Sequence, residues 1–230
     1  MYKRLCFLIS VLTSIKIKNF VDGDFSKDNE RVVENSFIEN CLLERNNVAD
    51  MGFAYAEDRW YFLLNKLKIN NLVGIDLATQ QRIDYGVYKM KLLEDMREMN
   101  IESKTFDAIL CVSTLEHVGM NNKIYGFKKE NRPQDQSKAL DELYRILRNG
   151  GRLYLTLPFG HYQVEDWYVQ YDLEHLMRLI TSSKFITKRM FCYKENNGWR
   201  FEKSWNFSDV YYQAEKHRAG GVVCLILQKQ

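Results

Sequence analysis

The chain is poor in several features that would point away from an ordinary globular fold. It has only two prolines and no low-complexity stretch, so no linker divides its 230 residues into separate domains. Its apolar runs fall short of the roughly 20 residues that span a bilayer, so no membrane span is predicted. A net charge of +3, without long basic runs, gives no reason to expect a nucleic-acid partner. We therefore expect one continuous soluble domain with an extension.

Cysteine is also sparse and carries no motif. The five cysteines are far apart and form no CxxC pair: Cys6, Cys41, Cys111, Cys192 and Cys224. This pattern indicates neither a disulfide framework nor a zinc site. No local group of Asp, Glu and His has ligand spacing, so no metal is predicted. Because most of the cysteines lie in apolar runs, we expect core packing in a reducing compartment, and we predict a cytoplasmic protein.

The first 44 residues differ in pattern from the rest. A basic pair and an apolar run at residues 3–12 resemble the start of a signal peptide, but no small-x-small cleavage site follows. An amphipathic helix is favoured because four apolar residues share one helical face: Leu5, Leu8, Leu12 and Ile15. A second helical stripe runs through residues 32–42, with Ser26 or Asp28 as its cap. We predict an N-terminal helical extension over residues 1–44 and a main domain over 45–230.

In the main domain, short apolar segments alternate with helical stripes. Strands are predicted near 48–51, 71–76, 89–93, 106–112, 152–158, 185–193 and 222–228. Helices are predicted near 60–67, 139–147 and 173–180, the second ending at a left-handed glycine cap in residues 149–151 and the third capped by Asp172. This alternation predicts an α/β fold with a doubly wound, mostly parallel sheet.

Polar residues stand directly after the predicted strands, where such sheets bind ligands. Asp50 closes the first strand and precedes a loop of alternating small residues, and Asp76 closes the second strand 26 residues later. Asp95 follows the third strand. Residues 113–117 (Ser-Thr-Leu-Glu-His) follow the fourth, and 158–161 (Pro-Phe-Gly-His) follow the fifth. A carboxylate at the position of Asp76 can accept hydrogen bonds from both hydroxyls of a ribose.

Four segments in this order resemble the class I S-adenosylmethionine-dependent methyltransferases. They are residues 48–54 (Val-Ala-Asp-Met-Gly-Phe-Ala), 73–76 (Val-Gly-Ile-Asp), 106–117 and 143–153. The resemblance covers about 44–230. It implies a Rossmann-like sheet of seven strands with an antiparallel last strand, and S-adenosylmethionine as the cofactor. Residues 155–160 are similar to members encoded with cell-surface polysaccharide genes, which makes a saccharide hydroxyl a candidate acceptor.

The resemblance also implies which residues touch the cofactor. Asp50 would organise the first turn, and the loop of Gly52, Phe53 and Ala54 would pass beneath the methionine part. Asp76 would hold the ribose. The remaining contacts would lie beside the ribose, the adenine or the sulfonium: Leu77, Asp95, Met96, Val112, Ser113 and Leu115.

Methyl transfer needs alignment of acceptor, methyl and sulfur more than it needs catalytic groups. A hydroxyl acceptor would benefit from a base, and His117 and His161 are the two candidates. His117 could equally be a turn residue bonded to backbone, and Glu116 could bond a substrate or cap its turn. Aromatic residues after the fifth strand could wall an acceptor pocket or pack in the core: Trp167, Tyr168 and Tyr171.

Two other classes of function stay open. The family usually has glycine where Ala54 stands, and often at Ala56, and an added Cβ disfavours positive φ. A catalytically inactive, cofactor-binding or regulatory protein is therefore the alternative to O-methylation of a saccharide or another small hydroxyl acceptor. A nicotinamide oxidoreductase fits less well, because its GxGxxG spacing needs a small residue where Glu57 stands. Oligomeric state is open.

Overall fold

The computed structural model describes residues 16–18, 20–21, 23, 25, 29–44, 46–80, 83, 85–213 and 218–230. The predicted helix over residues 5–15, Cys6 and the predicted caps Ser26 and Asp28 lie outside the described residues. The long helices are α1 (Arg31–Cys41), α2 (Asp58–Leu67), α3 (Asp135–Ile146) and α4 (Leu173–Ser182). The strands are β1 (Asn47–Met51), β2 (Asn71–Asp76), β3 (Met90–Leu93), β4 (Phe106–Val112), β5 (Leu147–Pro158), β6 (Gln163–Val164), β7 (Val169–Gln170), β8 (Ile186–Glu195), β9 (Trp199–Phe201) and β10 (Gly221–Gln228).

The central sheet has the order β3-β2-β1-β4-β5-β10-β8-β9. Strands β1 to β5 pair in parallel, and β10 lies antiparallel between β5 and β8. This arrangement confirms the predicted fold class and the antiparallel last strand. The predicted count of seven strands is wrong, because β9 adds an eighth strand by pairing antiparallel with β8. The connecting turn uses Asn197 at φ +53° and Gly198 at φ +115°, and an Asn-Gly pair favours such hairpins.

The predicted glycine cap of α3 is also wrong. The helix ends at Ile146, and Leu147 is already extended and paired with Phe106. Leu147 is fully buried, so the change from helix to strand needs no exposed turn. Gly150 does have positive φ, at +78°, but it lies inside β5, where its N–H donates to the carbonyl of Lys229. By contrast, Asp172 caps α4 as predicted, because its carboxylate accepts the N–H of His175 at 2.8 Å.

Helices cover both faces of the sheet. Alternate residues of β4 point to opposite sides, with Ile109 and Cys111 in one apolar cluster and Ala108 and Leu110 in the other. The first cluster includes the apolar faces of α3 and α4, and the second includes those of α1 and α2. The described cysteines are free and buried in these layers: Cys41, Cys111, Cys192 and Cys224. Because α1 packs into the same core as β1 and β2, it covers the sheet that carries the site; the division at residue 44 stays a prediction.

Lys229, just after β10, caps the C-terminal end of α3. Its ammonium donates to the carbonyls of Tyr144 at 2.8 Å, Arg145 at 3.3 Å and Leu147 at 2.9 Å. Burial lowers the pKa of this ammonium. We expect Lys229→Met to reduce the free energy of unfolding by about 2 kcal/mol, since charged hydrogen bonds are lost and buried carbonyls lose their donor. Urea unfolding measures the change. The exposed Lys203→Met is the control, and equal stability of the two variants would contradict the role of the cap.

Candidate functional site

A cavity of about 800 Å³ opens at the carboxyl ends of the parallel strands. Met51, Asp76, Val112 and Pro158 bring the ends of β1, β2, β4 and β5 to its wall. The start of α1 adds residues 30–31. The cavity therefore lies where open parallel sheets bind ligands, and its volume suits a cofactor or a small molecule.

The turn after β1 requires glycine at position 52. Gly52 has φ +80°, and its N–H donates to the carbonyl of Ile75 at 2.9 Å. A Cβ at this position would lie 2.3 Å from Oγ1 of Thr114. The short helical turn Phe53–Tyr55 follows, and the hydroxyl of Tyr61 donates to the carbonyl of Phe53 at 2.7 Å. The backbone therefore passes close to the turn after β4 and is held there by α2.

The alanines in this loop do not strain it. Ala56 has φ −60°, and Ala54 is not among the described residues with positive φ. Ala54 is fully buried and does not line the cavity, and its N–H donates to Oδ2 of Asp76 at 2.9 Å. Neither alanine therefore occupies a position that needs glycine, and backbone strain in this loop gives no reason to expect an inactive protein.

Asp76 presents a fixed carboxylate to the cavity. Its Oδ2 accepts the N–H of Ala54, and its Oδ1 accepts the N–H of Ala78 at 3.0 Å. Burial raises the pKa of this carboxyl. Each oxygen keeps a further lone pair, so the group can accept two hydroxyl hydrogens side by side. Leu77, the next residue, also lines the cavity.

Asp50 is buried and links three elements. Its Oδ2 accepts hydrogen bonds from Nε1 of Trp60 at 2.8 Å and from the hydroxyl of Tyr88 at 2.6 Å. Burial raises the pKa of this carboxyl to about 7, despite the two hydrogen bonds that lower it. The residue thus joins β1 to α2 and to the segment before β3, and it also lines the cavity.

Asp95 and Met96 line the cavity beyond β3, but Asp95 is engaged by a neighbour. Its Oδ2 accepts from Nη2 of Arg97 at 2.6 Å, and its Oδ1 accepts from the backbone N–H of Arg97 at 2.9 Å. Burial raises the pKa of Asp95, but these bonds outweigh burial and hold it below its usual value. Arg97 also binds Glu130 at 2.5 Å, which joins this corner to the loop before α3. Any adenine contact must share Asp95 with Arg97.

The turn after β4 is tied to α1 through Glu34. Oε1 of this fully buried carboxylate accepts the hydroxyl of Ser113 at 2.5 Å and that of Thr156 at 2.7 Å. Its Oε2 pairs with Arg31. Ser113 has φ +43° and lines the cavity with Val112, whereas Leu115 is fully buried in the core and does not. Glu34 thus fixes the start of α1 against the ends of β4 and β5.

Glu116 and His117 lie together in the next turn and line the cavity. Glu116 is only 2% exposed, and burial raises the pKa of its carboxyl to about 8. Nδ1 of His117 is 2.7 Å from the carbonyl of Trp167 and must donate to it. In the neutral ring, Nε2 then carries a lone pair, and it lies 3.9 Å from Oε1 of Glu116. The imidazole stacks on Trp167, with centroids 5.0 Å apart.

Burial lowers the pKa of His117 to about 4, against an ordinary value of 6.5. Between these pH values the unfolded chain binds more protons than the folded protein, so stability should fall as pH drops from 6.5 towards 4. We expect the folded ring to stay neutral throughout that window. A pH titration of histidine carbon and nitrogen NMR shifts, with His117→Asn to assign the ring, checks this. A ring that titrates near 6.5 would contradict it.

Aromatic side chains wall the cavity near His117. Trp167, Tyr168 and Tyr212 line it, and the rings of Tyr168 and Tyr212 are 4.0 Å apart between centroids. Tyr55 and Tyr125 form another lining pair at 4.7 Å. The remaining aromatic candidate, Tyr171, is buried in the core and does not line the cavity.

His161 is exposed and lies apart from the cavity, with its ring 4.9 Å from that of Tyr211. Most of the other predicted residues come together at the cavity: Asp50, Gly52, Asp76, Leu77, Asp95, Met96, Val112, Ser113, Glu116 and His117. Three other predicted cofactor contacts are buried and do not line the cavity, namely Phe53, Ala54 and Leu115. Several lining residues had no signal in the sequence, namely Glu30, Arg31, Asn35, Tyr55, Asn122 and Tyr125.

The described part of the chain has neither a metal-binding cluster nor a helix suited to span a membrane. Its residues include no group of three or more His, Cys, Asp or Glu side chains placed to hold a metal ion. Within the same ranges, no helix combines the length and apolar character that crossing a membrane requires.

Comparison with known proteins points to one class of enzyme. Residues 56–155 match the family described as a methyltransferase domain. No curated sequence matches the chain. Three solved structures with the same fold show how widely it is shared. A S-adenosylmethionine-dependent methyltransferase from Methanosarcina mazei has a TM-score of 0.56 at 14% identity, over 81% of this chain and 94% of its own.

The second is the 1,6-didemethyltoxoflavin-N1-methyltransferase of Burkholderia thailandensis, solved with S-adenosylhomocysteine. It has a TM-score of 0.56 at 13% identity, over 97% of this chain and 89% of its own. The third is the [4+2]-cyclase SpnF, with a TM-score of 0.59 at 13% identity, over 95% and 93%. The predicted fold and the methyltransferase class are confirmed. The S-adenosylhomocysteine in the second structure agrees with the predicted cofactor. The acceptor is not fixed by a fold that also serves a cyclase.

Proposed function

We propose that the cavity of this S-adenosylmethionine-dependent methyltransferase binds S-adenosylmethionine along the ends of β1 to β4. A small-molecule acceptor would bind beside the aromatic wall. The observation that carries the proposal is the carboxylate of Asp76, held at the cavity by two backbone N–H groups. It would accept both ribose hydroxyls. The tight turn at Gly52, which a Cβ would fill, lets the backbone approach the methionine part.

The cofactor, when bound, supplies a methyl group on a positively charged sulfur. Leu77 and Met96 offer apolar contact near the carboxylate of Asp76, where the adenine would lie. The aromatic residues at the opposite end of the cavity would exclude water and position the acceptor. Methyl transfer requires little more than this positioning. Trp167, Tyr168 and Tyr212 present aromatic faces, which stabilise cations such as a sulfonium.

A hydroxyl acceptor, including a saccharide, is the prediction from sequence. The aromatic wall supports it, since flat rings pack against sugar faces. His117 would be its base through Nε2, but a pKa near 4 makes a weak base at neutral pH. His161 lies away from the cavity lining. A link to polysaccharide synthesis, a cytoplasmic location and the lack of a nucleic-acid partner stay predictions.

Calorimetric titration with S-adenosylmethionine and S-adenosylhomocysteine tests the proposal without knowledge of the acceptor. We expect micromolar dissociation constants for both. Absence of heat and of any thermal shift would overturn the proposed site and favour the inactive, partner-binding alternative. A fluorescence titration with NADH, expected to show no binding, tests the oxidoreductase alternative in the same preparation.

A further inference from the structure

Several buried acceptor oxygens at the cavity have no hydrogen-bond partner. Within the described part of the chain, the buried side-chain atoms without a partner are all oxygens, and three of these residues line the cavity: Glu30, Glu116 and Asn122. The unpartnered atoms are Oε2 of both glutamates and Oδ1 of the asparagine. Glu30 is 7% exposed and Glu116 is 2% exposed. Buried polar atoms are rarely left without a partner, so these three point to a ligand that donates several hydrogen bonds.

At the same end of the cavity one cation, Arg31, interacts with three carboxyl groups, those of Glu30, Glu34 and Glu116. The guanidinium of Arg31 is paired with Glu34, and the ring of His117 is neutral. Burial raises the pKa of Glu30 to about 7 and that of Glu116 to about 8, and the positive charge of Arg31 offsets only part of the rise. Glu34 adds to the rise at both carboxyls, and Glu30 adds to it at Glu116. A bound cation would remove this penalty and bring both carboxyls into their charged form.

The aromatic wall suits the same kind of ligand. Trp167 and Tyr212 line the cavity with Glu116, and their rings are 5.9 Å apart between centroids. Aromatic faces attract ammonium groups, and more strongly when water is excluded. Acidic oxygens and aromatic faces together favour a cationic nitrogen over a neutral hydroxyl.

We propose that the acceptor is an amine, bound through its nitrogen by Glu30 and Glu116 beside the aromatic wall, and that this nitrogen takes the methyl group. The inference rests on the proposed function and names its substrate class, an amine in place of the hydroxyl predicted from the sequence. An ammonium offers up to three N–H donors to acceptor oxygens such as these, whereas a hydroxyl offers one. The amine can belong to a small aromatic molecule or to an amino sugar.

Glu116 can accept the proton that the ammonium must lose before methyl transfer. The ammonium gives one proton to the carboxylate of Glu116 and becomes a neutral amine with a free lone pair. That lone pair forms a bond to the methyl carbon while the carbon–sulfur bond breaks, and the bonding electrons stay on sulfur. The products are a methylated ammonium and the neutral thioether S-adenosylhomocysteine. Glu116 then releases its proton to solvent.

Matched acceptor pairs test the inference on the full chain. Phenethylamine and 2-phenylethanol differ in one functional group, as do glucosamine and glucose. Transfer of a labelled methyl group from S-adenosylmethionine is measured for each. We expect transfer to at least one amine, at a rate at least tenfold above that of its matched alcohol. Equal transfer, preference for the alcohols, or no transfer to either amine by protein that binds S-adenosylhomocysteine would overturn the inference.

Two conservative variants test the residues. Glu30→Gln and Glu116→Gln keep the side-chain shape, and each should lower kcat/KM for the amine at least tenfold while S-adenosylhomocysteine affinity changes less than twofold. Glu174→Gln, on the exposed face of α4, is the matched control. Thermal melting verifies folding. A parallel loss of S-adenosylhomocysteine affinity would assign the carboxyls to the cofactor's own amino group and overturn the inference. If the unaltered protein does not bind the cofactor, the proposed function fails instead.

Discussion

Replacing Asp76 by alanine is expected to weaken S-adenosylhomocysteine binding at least 100-fold. Two ribose hydroxyls would lose a charged acceptor, and such bonds contribute about 1.5–3 kcal/mol each. A loss of about 2.8 kcal/mol is already 100-fold in affinity. The same change leaves the N–H groups of Ala54 and Ala78 without their acceptor, so the loop that we propose faces the methionine part would also be loosened.

Calorimetry on folded variants measures this effect, and two further variants make it specific. Asp76→Asn keeps the size of the side chain but replaces one acceptor oxygen by a donor, so it should fall between the native protein and the alanine variant. Asp209→Ala removes an exposed carboxylate that pairs with Lys194 on β8, outside the cavity. A folded Asp76→Ala protein with affinity within threefold of native would refute the ribose assignment.

The second large effect is expected for Gly52→Ala. Alanine at φ +80° carries backbone strain of about 1–2 kcal/mol. Its Cβ would also collide with Oγ1 and Cγ2 of Thr114, at 2.3 and 2.5 Å. Crowding of this kind costs a further 1–3 kcal/mol or so. We expect a loss of roughly 2–5 kcal/mol in the free energy of unfolding, together with loss of measurable cofactor binding.

Gly150→Ala is the matched control for this change. Gly150 has nearly the same φ, +78°, but no atom lies within 4 Å of its added Cβ. It should therefore show the backbone strain alone. The double variant Gly52→Ala, Thr114→Ala removes the two closest atoms and should recover part of the lost stability. Equal destabilisation by the two single glycine variants, measured by denaturant unfolding, would show that the contact with Thr114 is unimportant.

The sheet was predictable because its strands are buried on both faces. The bounds of β2 and β4 agree with the sequence prediction, since a buried parallel strand is a short apolar run with polar ends. The hairpin strand β9 was missed although Asn197-Gly198 marks its turn, because residues 199–201 are too few to show alternation. The glycine pair after α3 led to the wrong prediction of a helix cap, because such a pair suits both a turn and an irregular strand. Only pairing with β4 and β10 places these residues in β5.

The site was predictable where it follows strands and unpredictable where it depends on packing. Asp50, Gly52 and Asp76 stand at strand ends, which parallel topology brings to one edge. Glu30 has no such signal: it precedes the apolar stripe of α1, and its approach to Glu116 depends on how that helix crosses the sheet. The candidate histidines show the same limit, since His117 and His161 both follow strands but only His117 lines the cavity.

The bonds of Glu34 to Ser113 and Thr156 have a consequence for how the enzyme can diversify. They anchor α1 from its own first turn, and the carboxyls of Glu30 and Glu116, which we propose hold the acceptor, take no part in these bonds. The loops at Gly52 and Asp76, which we propose bind the cofactor, lie on other elements. If Glu30 holds the acceptor as proposed, substitutions at position 30 should alter acceptor choice while the anchor and these loops stay intact. The proposed sites thus predict that acceptor choice can change independently of cofactor binding, with residue 30 as the first position to vary.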